Sequence, residues 1–280
     1  MASKLCLVTG ASSGVGKATV TRLAAVGEAV VMVCRDKAAG EATRDAILSQ
    51  TNNSSVDLMV ADISSLAAVR KLAAEFSARY PRLDVLVNNA ATFKDKRIMT
   101  PEGFELMFAT NYLGPFLLTR SLIPQLEAAR PSRIINITAP STTRPNMDDL
   151  QGERKFSAIG SFGASKAADL LFTYALAKRL DGRGTTVNAY HPGLVRTNLN
   201  RAAPTPIRFL AGMMNVFAGR SPDKASQGVV QLATSPDLEK TNGRLVHDGQ
   251  TITAPFVDDK ELQDRLWNTS CALLGLSETI

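Results

Sequence analysis

The chain is poor in the residues that build metal centres and disulfide frameworks. It has two histidines, His191 and His247, and three cysteines, Cys6, Cys34 and Cys271. No C-x-x-C pair occurs, and an odd cysteine count argues against a disulfide scaffold. Cys6 and Cys34 lie in apolar strand contexts and read as small buried hydrophobes in a reducing cytosol, so a cytoplasmic protein is expected. The sparse histidines and cysteines leave no expected metal site. No apolar run reaches the length of a transmembrane segment, and the first strand begins too near Met1 to leave room for a signal peptide. Internal repeats, low-complexity tracts and blocks of like charge are also missing. The net charge of +6 is spread through 32 basic and 26 acidic residues, which argues against nucleic acid and for a surface that suits small anions.

What is present is an ordinary globular composition, 45% hydrophobic and 21% charged over 280 residues. Length and texture predict one domain over 1–280. Short apolar runs alternate with segments of helical periodicity. The runs are Leu5 to Val8, Val30 to Cys34, Val56 to Ala61, Asp84 to Val87, Arg133 to Thr138 and Thr186 to Tyr190. The helical segments are Ala39 to Ser49, Leu66 to Arg79, Phe104 to Leu118, Phe162 to Leu180 and Leu262 to Leu274, with a helix and a short final strand within 221–250. This alternation predicts an α/β fold, a doubly wound, mostly parallel sheet with helices on both faces and a ligand crevice at the carboxyl ends of the strands.

The first strand runs into Thr9-Gly10-Ala11-Ser12-Ser13-Gly14-Val15-Gly16-Lys17 and then a helix. Gly10 permits a tight turn, Gly14 lets backbone approach a pyrophosphate, and Gly16 lets helix and strand pack closely. The free N–H groups and positive dipole end of the helix then face the phosphates. The second strand ends in Arg35, where an arginine pairs with a 2′-phosphate while an acid would accept from a free 2′-hydroxyl. Arg35, with Lys17 nearby, therefore favours NADP(H). Asp62, followed by Ile63, is placed to accept from an adenine amino group. Asn88 and Asn89, before Ala90 and Ala91, can tie neighbouring strands together. Asn111 stands inside a helical pattern that asparagine disfavours, which hints at a local kink or a water site.

The spacing Gly-x-x-x-Gly-x-Gly after Thr9 resembles the short-chain dehydrogenase/reductase superfamily, and the likeness runs nearly the whole chain. Cys34-Arg35-Asp36, Ala177-Lys178-Arg179-Leu180, His191-Pro192-Gly193, Leu266-Trp267 and Leu273-Leu274-Gly275 look most like its retinol dehydrogenase and WW-domain oxidoreductase branch. The resemblance implies NADP(H), held by Gly10, Ser12, Ser13, Gly14, Val15, Gly16, Arg35, Asp62, Ile63, Asn89, Ala90, Lys166, Pro192, Gly193, Val195 and Thr197. It also implies carbonyl or alcohol chemistry on a small lipophilic or aromatic substrate, and a homodimer or tetramer as a common state. The apolar, Met-rich, Pro-interrupted stretch at 200–220 reads as a substrate lid or an interface segment.

The superfamily's catalytic set is Asn, Ser and Tyr-x-x-x-Lys, in which the lysine lowers the pKa of a tyrosine on the same helix face. Asn111 and Lys166 match it. The tyrosine position is Phe162 and the serine position is Ala139. Both departures delete a hydroxyl at nearly constant shape. Two readings stand open: a deliberately silenced ordinary reductase, or chemistry that needs no phenol, such as reduction of a C=C bond or a quinone. An isomerisation or cyclisation on the same scaffold, and an NADP(H)-binding regulator without turnover, are the alternatives. Thr138, Ser141, Ser161 and Ser165 are nearby hydroxyls, with Ser161 expected to cap the helix that opens at Phe162.

Overall fold

Successive residues of the first strand point to opposite sides of a sheet, and that alternation divides the core. The computed structural model describes residues 3–196 and 219–280. Its strands are β1 (Leu5–Thr9), β2 (Ala29–Cys34), β3 (Val56–Val60), β4 (Val85–Asn88), β5 (Ser132–Ile137), β6 (Thr185–Tyr190), β7 (Leu245–His247) and β8 (Gln250–Ile252). They form one eight-stranded sheet in the order β3-β2-β1-β4-β5-β6-β7-β8. All neighbours pair in parallel except β7 and β8. The strand order reverses direction between β1 and β4, which opens a crevice at their carboxyl ends.

The helices are α1 (Gly14–Ala25), α2 (Lys37–Thr51), α3 (Leu66–Arg79), α4 (Leu106–Phe108), α5 (Gly114–Ser121), α6 (Ile123–Ala129), α7 (Ala158–Arg179), α8 (Pro222–Thr234) and α9 (Lys260–Leu274). Cys6 and Val8 of β1 pack with Val20 and Leu23 of α1, Ile47 of α2 and Val229 of α8. Leu7, between them in sequence, packs into the opposite layer with Val69 of α3, Phe116 of α5, Phe172 of α7 and Trp267 of α9. The expected doubly wound α/β architecture is therefore the observed one, and α3 falls on its predicted bounds with the predicted face buried.

Three local expectations need correction. The helix expected from Phe104 to Leu118 is interrupted: between α4 and α5 a π-helical turn spans Ala109–Leu113. The helix expected to open at Phe162 begins at Ala158, because Ser157 rather than Ser161 caps it, its hydroxyl accepting from Gly160 N at 3.3 Å. The short final strand is a hairpin, β7 and β8 turning at Asp248 and Gly249, both with positive φ. Thr197 and nearly all of the 200–220 stretch lie outside the described residues.

Candidate active site

The turn after β1 is shaped by contacts that leave room only for glycine. Gly10 has φ +66 and Gly14 φ +55, a region that side chains disfavour. A Cβ on Gly16 would lie 2.3 Å from Gly10 O and 2.5 Å from Asn89 Nδ2. Asn89 Nδ2 donates to Thr9 O at 2.9 Å and Gly10 O at 3.2 Å, so the β4 end clamps the glycine turn. Thr9 Oγ1 accepts from Asn89 N at 2.9 Å and Ala90 N at 3.1 Å. Asn88 reaches the other way, its Nδ2 donating to Asn136 Oδ1 at 2.8 Å and Thr119 Oγ1 at 2.9 Å. The two amides tie β1, β4 and β5 together, as expected of them.

The helix that follows this turn, like α5 and α6 and unlike the other described helices, starts without a side-chain cap. Asp36, Ser65, Glu105, Ser157, Ser221 and Asp259 each accept a backbone N–H at the start of α2, α3, α4, α7, α8 and α9. Ser13 makes no such bond at the start of α1. The first N–H groups of α1 are therefore left for an external acceptor, beside exposed Ser13 and partly buried Ser12. Arg35 and Lys17 are exposed at the same edge, and among the described residues neither enters an ion pair. Asp62 turns inward on its own loop, its Oδ1 accepting from Ser64 N at 2.9 Å and Ser64 Oγ at 2.7 Å. Ile63 beside it is buried, and its carbonyl oxygen would meet a Cβ on Gly114 at 2.2 Å.

At the far side of the crevice, Lys166 lies on α7, buried at 6% exposure, and its Nζ donates to Ile137 O at 3.0 Å. Burial lowers its pKa, against the charge of Asp169, which raises it. Asn111 sits in the π-helical turn, where its Oδ1 accepts from Thr92 N at 2.8 Å and its Nδ2 donates to Thr92 O at 3.0 Å and Ser165 Oγ at 3.0 Å. The kink expected at this asparagine is thus a π turn fastened to the loop after β4, a distortion common at functional sites.

Phe162 is half-buried, its ring edge-on to Phe93 at 5.6 Å between centroids and 69° between planes. Phe93 and Met107, with Phe156 and Ala158, complete an apolar cluster there. Ala139 is partly buried just past β5. Two of the four nearby hydroxyls spend their protons on backbone carbonyls. Thr138 Oγ1 donates to Lys166 O at 2.9 Å, and Ser165 Oγ donates to Phe162 O at 2.7 Å. Ser141 Oγ accepts from Thr143 N at 3.1 Å, and Ser161 lies in the first turn of α7. Gly163 packs closely beside Phe162, since a Cβ there would come 2.5 Å from Thr143 Oγ1 and displace that side chain.

The turn after β6 closes the crevice. Gly193 has φ +74, and Val195 pairs with Arg220 as an isolated bridge. His191, beside Pro192, lies 5.0 Å from His247 between ring centroids, and its carbonyl oxygen pairs with His247 Nδ1 at 2.8 Å. Burial lowers the His191 pKa, assisted by the charge of His247.

A glycine turn feeding an uncapped helix, with a buried lysine across the crevice, is the frame of a dinucleotide oxidoreductase, and the short chain dehydrogenase model matches residues 4–207. The chain belongs to the short-chain dehydrogenase family. Retinol dehydrogenase 13 of Homo sapiens is 37% identical over 98% of this chain and 85% of its own length, which places the chain in the retinol dehydrogenase branch. Among solved structures, the Pseudomonas aeruginosa RhlG/NADP active-site complex is 26% identical with a TM-score of 0.71, covering 89% of this chain and 96% of that one. A short chain dehydrogenase from Burkholderia cenocepacia in complex with NADP is 26% identical with a TM-score of 0.70, covering 88% and 96%.

In this short-chain dehydrogenase the described residues expected from the sequence follow the carboxyl ends of β1 to β6 or lie in the π turn and on α7, and Asp62 spends one oxygen on its own loop. Sequence reading missed Thr92, which fixes Asn111, and Phe93, which packs on Phe162. It also missed Asp169, buried at 2% exposure one turn beyond Lys166. A charged residue inside the run Ala167-Ala168-Asp169-Leu170-Leu171 was the available signal.

Proposed function

We propose that this chain is an NADP(H)-dependent oxidoreductase for a small lipophilic or aromatic substrate whose conjugation carries charge, a quinone or an enone, in place of a simple aldehyde or ketone. The observation that carries this reading is the Phe162–Phe93 pair. An aromatic, hydroxyl-free wall stands where the family pattern has a phenol next to its lysine. The preference for NADP(H) is supported by Arg35, exposed at the end of β2, and by the NADP held in two solved relatives.

The uncapped α1 N-terminus, with the Gly10–Gly16 turn, would take the pyrophosphate. Arg35 would pair with a 2′-phosphate, Asp62 and Ile63 would border the adenine, and Asn89 and Ala90 would support the adjoining ribose. Lys166 would reach the nicotinamide ribose, and Pro192, Gly193, Val195 and Thr197 would border the nicotinamide. NADPH supplies a hydride when bound. The protein's own residues then orient the acceptor against Phe93 and Phe162 and exclude water from that wall. With a quinone or enone the electron pair moves onto the conjugated oxygen, and a proton from solvent completes reduction without a phenol. A simple carbonyl has no such delocalisation and needs a donor at the oxygen. No helix among the described residues is long and apolar enough to cross a membrane. The three free, buried cysteines suit the reducing compartment proposed here.

The test is NADPH consumption by this chain and by a Phe162→Tyr, Ala139→Ser variant with lipophilic aldehydes, ketones, quinones and enones. The chain as it stands is expected to turn over quinones or enones, and the variant to gain aldehydes and ketones. No turnover of any acceptor by the native chain, with NADPH bound, would favour the regulator reading instead.

A further inference from the structure

One buried charge in the crevice has no counterpart in the family's catalytic pattern. Asp169 follows Lys166 by one helical turn on α7, at the spacing that puts two side chains on one face. Both are buried, at 2% and 6% exposure, and Asp169 Oδ1 has no hydrogen-bond partner. A buried carboxylate with an unsatisfied oxygen is costly, so its presence calls for a compensating charge. The Asp169 charge opposes burial in raising the Lys166 pKa, acting across the helix turn without a direct ion pair, since Lys166 Nζ bonds Ile137 O. From β5 the lysine meets the Ile137 carbonyl and, at its own backbone, the Thr138 hydroxyl. The π turn presents Tyr112, whose hydroxyl pairs with Ser270 Oγ at 2.7 Å. Burial pushes the Tyr112 phenol up, and the Cys271 thiol of α9 is pushed up as well, so both stay neutral near pH 7.

We propose that Asp169 is a positioning residue for Lys166, an anion one turn away that keeps the buried ammonium charged and held at the crevice wall. In a site with no phenol at position 162, the lysine's remaining duty is to present a cation and N–H donors to the cofactor ribose, and a neutral amine does this poorly. The assignment to a ribose rests on the NADP(H) reading; the coupling of the two side chains does not. Burial pushes the Asp169 carboxyl up to about 7, against the lysine's charge. Burial depresses the Lys166 pKa and the Asp169 anion restores part of it. Removing the anion therefore moves loss of the lysine proton to lower pH.

The experiment follows the Lys166 Nζ resonance by 15N NMR against pH, with Lys166→Met for assignment, in the native chain, Asp169→Asn and Asp169→Glu. The Asn variant is expected to lower the Lys166 midpoint by roughly 1–3 pH units, with Glu near the native value. The alkaline loss of NADPH affinity should move with it. An unchanged midpoint in a folded Asn variant overturns the proposal, whereas a purely structural role would weaken binding equally at all pH values. If the Asn variant does not fold, the Asp169 13Cγ titration in the native chain and in Lys166→Met decides: a midpoint that rises when the ammonium is removed supports the coupling, and an unchanged midpoint refutes it. Failure of the native chain to bind NADPH while the Lys166 midpoint still shifts would remove the NADP(H) reading and leave the coupling standing.

Discussion

The turn after β1 and the turn after β5 end parallel strands on the same edge of one sheet, yet they are completed differently. After β1 the turn leaves the first N–H groups of a helix without a side-chain acceptor: Gly10 and Gly14 take positive φ, Gly16 admits no Cβ, and α1 has no side-chain cap. After β5 the polar groups are spent inward. Thr138 bonds the α7 backbone, Ser165 bonds Phe162 O, and Ala139 and Phe162 offer no hydroxyl. On the reading proposed above, the difference makes nucleotide binding and proton delivery separable parts of this scaffold. The first depends on backbone geometry that a few glycines enforce, the second on single side-chain atoms that a small substitution removes without disturbing the fold.

The sharpest way to break the comparison is at Gly16. Gly16→Val places carbon 2.3 Å from Gly10 O, against backbone that cannot yield cheaply. It is expected to cost about 3 kcal/mol of stability in chemical denaturation and to abolish NADPH binding. Retained NADPH affinity would mean the turn is not the phosphate cradle. A smaller effect is expected at Arg35, which is exposed and supports nothing in the fold. Arg35→Ala should weaken NADPH binding about 10-fold to 100-fold, the worth of a charged hydrogen bond, with NADH affinity and stability unchanged. Equal losses for both nucleotides would withdraw the 2′-phosphate assignment.

The shape of the turn after β1 was legible in the sequence because each requirement maps onto one residue at fixed spacing. Glycines, the paired amides Asn88 and Asn89, and the strand-end Arg35 all declare themselves without knowledge of distant neighbours. Asn111 signalled a distortion, but the π turn and its anchor Thr92 depend on a loop 19 positions earlier, which no local pattern reveals. The start of α7 was misplaced because Ser157 and Ser161 are both plausible caps, and only the turn formed by Ala158 to Gly160 decides between them. Phe93 lies in the irregular stretch after β4, so its pairing with Phe162 follows from the tertiary fold alone. Asp169 was hidden by the strong apolar rhythm of its helix, although a lone carboxylate on a buried face was the anomaly to notice.

The most direct test of separability is the dissociation constant of NADPH, measured by fluorescence titration for the native chain and for the Phe162→Tyr, Ala139→Ser variant. The account predicts tight binding by both, equal within about 2-fold, since neither substitution touches the turn after β1. Binding that emerges only when the two hydroxyls return would contradict it.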